Sequence, residues 1–265
     1  IKTRNTCKNN AMKNLLVLFF LFQIATAYSQ LGKNGRFPNY FGFQVRAIIP
    51  SVLSGGTSTI SDSNNYLTQS IRQLPGISYG ANVRVGLTEL IAIETGINYL
   101  ERKFEISAAV LDSSFSASTV VSYIQYDIPL NGLIYIKLAK EIYATTALGV
   151  SVNFKPTNIR KDVSENKNLF VHQGYTSIAN MFGASLNANI GFEYRTKKSG
   201  FFNIGASAQI PFSKLFDIRT TYVYVNTGIS SVYQVVNGSY LSIDLRYFFH
   251  NSNRSGSIFQ NGPIE

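Results

Sequence analysis

Eight separate segments of the sequence alternate apolar and polar residues. A period of two is typical of a β-strand whose two faces meet different surroundings. From Phe182 to Tyr194, apolar side chains occupy the even positions, whereas Gly, Ser, Asn and Glu occupy the odd ones. The pattern predicts strands over 40–50, 77–87, 91–103, 120–138, 142–154, 181–195, 201–211 and 240–249. No apolar run of about 18 residues follows residue 30, which excludes transmembrane helices there.

The connections between these segments alternate between short and long. Three are short turns; the four long connections are 51–76, 104–119, 155–180 and 212–239. Short turns at one end and long loops at the other are typical of bacterial outer-membrane barrels. The sequence therefore predicts an all-β fold, an eight-stranded antiparallel up-and-down transmembrane β-barrel. The stretch 212–239, rich in Tyr and Val, leaves two alternatives open: an extracellular hairpin, or two more membrane strands that would make ten.

The segment 120–138 also admits two interpretations. Asn131-Gly132 is a strong hairpin signal and would divide the segment in two. The apolar positions nevertheless keep one parity through this dipeptide, so we predict a single strand. Because Pro129 has no N–H to donate, we also predict a β-bulge at that residue.

A transmembrane barrel turns its apolar side chains to lipid and its polar side chains inward. Eight strands leave an interior that side chains can fill. The predicted inward-facing polar network consists of Arg46, Arg84, Glu94, Asp127, Lys137, Glu193, Arg195, Asp244 and Arg246. We interpret these charges as salt bridges that fill a narrow barrel; the alternative is a narrow pore with a mild preference for anions.

Aromatic residues concentrate near the predicted strand ends. Those at the short-turn side are Phe41, Tyr194, Phe202 and Phe249, and those at the loop side are Phe154, Phe182 and Phe212. Aromatic girdles at both interfaces are typical of membrane barrels. The competing interpretation makes them core aromatics of a secreted, soluble eight-stranded barrel with a ligand cavity.

The first residues are predicted to be processing signals. Met12-Lys13-Asn14, an apolar run over 15–22 and Ala25-Thr26-Ala27 have the layout of a secretory signal peptide. We therefore predict that 1–11 lie upstream of the true start and 12–27 form a signal peptide. The predicted remainder is a lead-in (28–39), the barrel (40–250) and a polar tail (251–265).

Charge and cysteine content narrow the class of protein. Charged residues make up 14% of the chain, against about 25% in typical soluble proteins. Removal of 1–27 would take away four basic residues and the single cysteine, Cys7, and would lower the formal net charge from +10 to +6. The remaining positive charges form no basic run, so we expect no nucleic-acid partner.

The stretch Tyr126-Asp127-Ile128-Pro129-Leu130, together with the eight-strand layout and the signal peptide, resembles the PorT-like outer-membrane β-barrel proteins of Bacteroidota. In that family, one strand carries an acidic residue followed by Ile-Pro-Leu, and Asp127 would take the acidic place. The aromatic end Tyr247-Phe248-Phe249 looks like a last strand that barrel-assembly machinery reads, although a tail follows it here. The resemblance implies an outer-membrane location and, for some relatives, a link to type IX secretion and gliding.

Signals for catalysis are sparse. The two histidines, His172 and His250, fall at opposite ends of the predicted barrel. His172 has Asp162, Ser164 and Glu165 nearby in sequence, which suggests an outer-membrane hydrolase only as an alternative. No HExxH, P-loop, GxGxxG or nucleophile elbow occurs. We therefore expect no enzymatic activity, cofactor or metal.

These features together predict an integral protein of the cell outer membrane with a structural or interaction role. Loops on a rigid scaffold carry function more often than the scaffold itself. The expected partners are outer-membrane lipid, the barrel-assembly machinery during insertion, and a protein or glycan at the extracellular loops. The sequence also leaves open a link to secretion or envelope assembly.

Overall fold

The computed structural model describes residues 39–50, 57–62, 66–88, 90–111, 115–165, 168–176, 181–196, 199–224 and 229–249. The predicted signal peptide, the C-terminal tail and His250 lie outside these residues. All described residues belong to one compact unit. In the described part, no helix has the length and apolar character needed to cross a membrane.

The all-β, antiparallel expectation is confirmed. The described residues form thirteen strands: β1 (Tyr40–Ile49), β2 (Thr57–Ser61), β3 (Leu67–Gly86), β4 (Ile91–Val110), β5 (Phe115–Lys137), β6 (Ile142–Phe154), β7 (Ile159–Glu165), β8 (Asn168–Tyr175), β9 (Phe182–Arg195), β10 (Phe201–Pro211), β11 (Phe216–Tyr224), β12 (Ile229–Val236) and β13 (Tyr240–Phe248).

Eight of these strands pair in a ring, which we call the barrel. The order is β1, β13, β10, β9, β6, β5, β4 and β3, and β3 pairs again with β1. Each barrel strand coincides with a predicted segment, but β3, β4 and β5 continue well beyond it into the stretches expected to be loops. The ten-strand alternative does not occur among the described residues, because β11 pairs with β12 on one side and with β8 on the other, and neither β11 nor β12 enters the ring.

The barrel is apolar outside and polar inside. Along β1, every second side chain is buried, so Gln44 and Arg46 face inward while Phe43 and Val45 are about half exposed on the outside. The same alternation runs through β6, β9, β10 and β13. Since a water-soluble barrel has the opposite polarity, this arrangement indicates that the outside does not face water.

The predicted bulge at Pro129 does not form, whereas the predicted single strand around this proline is confirmed. The segment with Asn131-Gly132 is a single strand, β5. Its register with β4 is the same on both sides of Pro129, so no bulge forms there; two residue pairs next to the proline are simply missing from the ladder. The register shift lies on β3 between Leu74 and Ile77, beside Pro75, where it turns the side chains of the outer part of β3 to the other face.

A second sheet of four strands, in the order β12, β11, β8 and β7, comes from the predicted loops 155–180 and 212–239. It packs on the outer parts of β3, β4 and β5 through two apolar cores. The first core includes Ile71, Phe104, Tyr123 and Phe216, and the second is centred on Phe170. We call this assembly, together with β2, the outer sandwich.

Candidate functional site

The inner end of the barrel, on the short-turn side, is filled by a buried ion-pair network around Arg84. Its guanidinium donates to Glu94 Oε2 from Nε (3.0 Å) and Nη2 (2.6 Å), and to Glu193 Oε2 from Nη1 (2.5 Å). Arg195 Nε donates to the other oxygen of Glu193 at 2.6 Å. Charge-assisted bonds of this kind satisfy carboxylates that burial would otherwise penalise.

Aromatic rings close the space around these charges. The guanidinium carbon of Arg84 lies 4.2 Å from the ring centroid of Phe248, and that of Arg195 lies 4.3 Å from the ring of Tyr143. Phe201 stacks on Phe248 with a centroid distance of 4.8 Å. Stacked rings and cation–π contacts leave this end of the barrel densely packed.

A second group of charges occupies the middle of the barrel. Arg246 donates to Asp244 Oδ2 at 2.9 Å and to Glu94 Oε1 at 3.3 Å. Arg46 donates to Gln44 Oε1 at 3.0 Å, while its Nε lies 3.6 Å from Asp244 Oδ1. Eight of the nine residues predicted for the lumen are therefore buried within one interior.

Asp127 and Lys137 differ from the other predicted lumen residues. Asp127 has three amide donors, Gln125 (2.6 Å), Asn153 (2.7 Å) and Gln209 (3.0 Å), instead of a cation within salt-bridge distance. Lys137 is the last residue of β5 and is only half-buried, so it stands apart from the network at the short-turn end. The prediction placed Lys137 inside the barrel because the alternation shows which face a side chain is on but not how close it lies to the end of the barrel.

Sequence reasoning missed two buried cations near the outer end of the barrel. Arg102 donates to Gln125 Oε1 at 2.5 Å and to the carbonyl oxygen of Gly238. Lys155 donates to Ser213 Oγ at 3.2 Å and to the carbonyl oxygen of Lys214 at 3.1 Å. Arg102 is an even number of residues from Glu94 on the same strand, so its inward position could have been predicted. Lys155 follows the end of β6, where the alternation gives no signal.

An aromatic row crosses five neighbouring strands near the outer end of the barrel. Its members are Tyr79, Tyr99, Tyr126, Phe154 and Phe182, each opposite the next in register. Consecutive ring centroids are 4.9, 5.7, 6.3 and 5.1 Å apart. Phe154 and Phe182 were predicted as rim residues, whereas the three tyrosines were not, because only the register shows that they belong to one row.

The other predicted rim aromatics lie at both ends of the outer surface. Phe41 stacks on Phe249 at 6.0 Å, and Phe202 contacts Tyr247 at 4.9 Å. Tyr194 donates to Glu141 Oε2 at 3.2 Å at the same, short-turn end. Phe212, at the outer end of β10, is exposed.

Polarity inverts at the aromatic row. Beyond Tyr99, β4 turns Leu100, Phe104 and Ile106 inward, where they are buried. Its outward positions there are Glu101, Lys103 and Glu105, which are partly or fully exposed. One strand therefore carries apolar side chains outside below the row and charged side chains outside above it.

His172 lies in the outer sandwich, on β8, and is fully buried. Its Nδ1 is 2.7 Å from Thr220 Oγ1, and burial lowers the pKa of His172 to about 4. Asp162 and Ser164 are exposed on β7, and Asp162 pairs with Arg160 at 3.6 Å. The described residues do not bring serine, histidine and carboxylate together as an exposed catalytic site. They also contain no group of three or more His, Cys, Asp and Glu residues placed to hold a metal ion.

Comparisons with known proteins find a likeness among solved structures only. No protein-family model matches the chain, and no curated protein matches it. Among solved structures, the chain is similar to the outer membrane protein OprG from Pseudomonas aeruginosa, with a TM-score of 0.49 and 12% sequence identity. The likeness covers 83% of this chain and 98% of that chain. A likeness of this degree does not decide the function of this chain.

Proposed function

We propose that the chain is an integral outer-membrane β-barrel protein. The observation that carries the proposal is the inside-out polarity of the barrel, which ends at the aromatic row and inverts beyond it. The 13 residues of β6, at about 3.3 Å per residue and a tilt of about 40°, span a height of about 30 Å. That height matches the hydrocarbon core of a bilayer, which is about 30 Å thick.

The aromatic row supports a definite position in the membrane. Tyrosine rings prefer the headgroup level, because one end of the side chain is apolar and the other is polar. With the row at the outer interface, the outer sandwich stands in water. Its exposed Lys, Glu, Arg and Ser side chains fit that surrounding, and its apolar cores are shielded between two sheets.

We further propose that the barrel does not conduct. Arg84, Arg195 and the surrounding rings fill the inner end, and the apolar core with Phe104 and Phe216 covers the outer end. A water-filled channel needs a continuous polar path, which neither end provides among the described residues. The narrow-pore alternative is therefore less well supported than a structural barrel.

The outer sandwich is the surface that we propose for interaction. The exposed face of its second sheet presents Tyr175, Arg219, Tyr233 and Val235. Tyrosine and arginine side chains are enriched in recognition surfaces, so this face fits a protein or glycan partner. We propose no catalytic role, since the buried His172 contacts Thr220 instead of a nucleophile at the surface.

The finer assignments are also proposals. Membership of the PorT-like proteins of Bacteroidota, and with it a link to secretion or envelope assembly, rests on the stretch 126–130 and the layout of the barrel. Insertion by barrel-assembly machinery rests on the aromatic end of β13. Outer-membrane lipid is the partner that the outward apolar face requires.

Cysteine labelling of intact cells tests the position in the membrane. In a Cys7→Ser background, Ser116→Cys in the outer sandwich should react with a membrane-impermeant maleimide, and Ala139→Cys in the β5–β6 turn should react only after lysis. Labelling of both sites in intact cells, or recovery of a detergent-free soluble monomer, would contradict the proposal. A steady conductance of the purified protein in planar bilayers would contradict the closed interior.

A further inference from the structure

A small polar cavity lies within the barrel interior. Its lining includes Arg46, Asn131, Asn187, Asn189, Gln209 and Arg246. These side chains are neutral amides apart from the two arginines, and the space holds about one particle of the size of a water molecule. The cavity is therefore built for a small polar occupant.

The two arginines of the lining carry unused donors. Arg46 and Arg246 are both more than nine-tenths buried, and the Nε–H of each has no hydrogen-bond partner. The nearest carboxylate oxygen to Arg46 Nε is Asp244 Oδ1 at 3.6 Å, which is too long for a hydrogen bond. Buried unsatisfied donors of a charged group are costly, so an acceptor is expected there.

Asp244 does not supply that acceptor in this arrangement, because its Oδ1 stays 3.6 Å from Arg46 Nε. It accepts from Ser242 Oγ at 2.7 Å, Asn189 Nδ2 at 3.0 Å and Arg246 Nη2 at 2.9 Å, and also from Ser207. What the cavity lacks is an additional acceptor beside the guanidinium groups.

The charge balance of the interior favours an anion over water. Among the described residues, the buried cations are Arg46, Arg84, Arg102, Lys155, Arg195 and Arg246, and the buried carboxylates are Glu94, Asp127, Glu193 and Asp244. The interior as a whole therefore carries a formal excess of two positive charges, although Arg102 and Lys155 lie near its outer end and Arg46 and Arg246 lie close to Asp244 and Glu94. A water molecule could accept both N–H bonds, but it would leave that excess uncompensated in a low-dielectric interior.

We propose that this cavity binds a single small inorganic anion of the size of chloride, held by the Nε–H groups of Arg46 and Arg246. A space of this size is closer to a monatomic anion than to a tetrahedral oxyanion such as phosphate. The anion completes the interior charge network and so couples the stability of the barrel to the halide concentration. This site is independent of any partner of the outer sandwich.

The test is halide-dependent stability of the full-length protein refolded in detergent micelles. Sodium chloride is titrated against sodium gluconate at constant ionic strength, and unfolding is followed by heat-modifiable gel mobility. The expected result is a saturable gain, which reaches about 100-fold in the folding equilibrium constant at a chloride concentration 100 times the dissociation constant. Equal stability in chloride and gluconate would overturn the proposal.

Two variants assign the effect to the cavity. Arg46→Gln should remove the chloride dependence, whereas Arg219→Gln, which removes an exposed arginine of the outer sandwich, should retain it. Retention of the dependence in Arg46→Gln would contradict the site. If Arg46→Gln does not fold, crystals of the unchanged protein are soaked in bromide instead. An anomalous peak between the two Nε atoms would support the site. A cavity without such a peak would refute it.

Discussion

An arginine at Leu130 should destabilise the barrel strongly, whereas an arginine further along the same strand should not. Leu130 faces outward on β5 and is 56% exposed. It lies four residues from Tyr126 toward the short-turn end, which places it about 10 Å into the membrane if the aromatic row marks the interface. Ser116 also faces outward on β5, but it lies about 25 Å beyond the row on the other side.

The expected magnitudes follow from these depths. An arginine that faces lipid near the midplane costs about 2–4 kcal/mol, which lowers the folding equilibrium constant roughly 30-fold to 1,000-fold. Ser116 is exposed to water in the outer sandwich, so Ser116→Arg should change the free energy of unfolding by less than about 0.5 kcal/mol. The two variants add the same side chain to the same face of one strand and differ only in height.

The assay is equilibrium urea unfolding of the barrel in lipid vesicles, with heat-modifiable gel mobility as the readout. The reasoning predicts a lowered midpoint for Leu130→Arg and an unchanged midpoint for Ser116→Arg. Equal free-energy changes for the two variants would refute the placement of the membrane. A tolerated arginine at Leu130 would refute the lipid-facing surface itself.

Three further predictions concern His172, Arg84 and Gly200. Burial lowers the pKa of His172 from 6.5 to about 4, so the unfolded segment binds a proton that the folded one does not. Hydrogen exchange at β8 should therefore show the outer sandwich losing on the order of 3 kcal/mol as the pH falls from 6.5 to 4, and His172→Gln should abolish this pH dependence. Arg84→Ala should cost about 3–5 kcal/mol in urea unfolding, because it leaves two buried carboxylates without their shared partner; a loss below about 1 kcal/mol would contradict the network. Gly200 has a φ of 82° in the β9–β10 turn, so Gly200→Ala should cost about 1–2 kcal/mol in the same assay; Gly132→Ala, whose added Cβ would meet nothing closer than 3.8 Å, is the control.

Much of the barrel could be predicted from parity alone. The alternation of Phe43, Gln44, Val45 and Arg46 is a local property of the chain, and it reports directly which side chains share a face. The same rule correctly predicted one continuous strand across Asn131-Gly132. A two-residue hairpin there would have required the apolar residues to change from even to odd positions.

The outer sandwich could not be predicted in this way. Its strands lie in stretches read as loops, where polar and apolar residues alternate less regularly and Gly and Ser interrupt the pattern. β11 and β12 form a hairpin, as one of the two alternatives proposed, but the pairing of β11 with β8 joins segments about 50 residues apart. His172 was placed in a loop for this reason and lies instead in a buried position.

The sequence by itself determined the eight barrel strands, the side of each strand that is apolar and most of the charged residues of the interior, since these depend on the period of two along each strand. Only the tertiary structure decided the height at which each residue lies. The register between strands aligned Tyr79, Tyr99 and Tyr126 in one row. The bulge beside Pro75 determined which side chains of β3 face inward beyond it. Only packing decided that the long loops build a second sheet over the barrel and that two arginines with unpaired donors line one cavity. Such relations depend on distances between segments far apart in the chain, which no local pattern records.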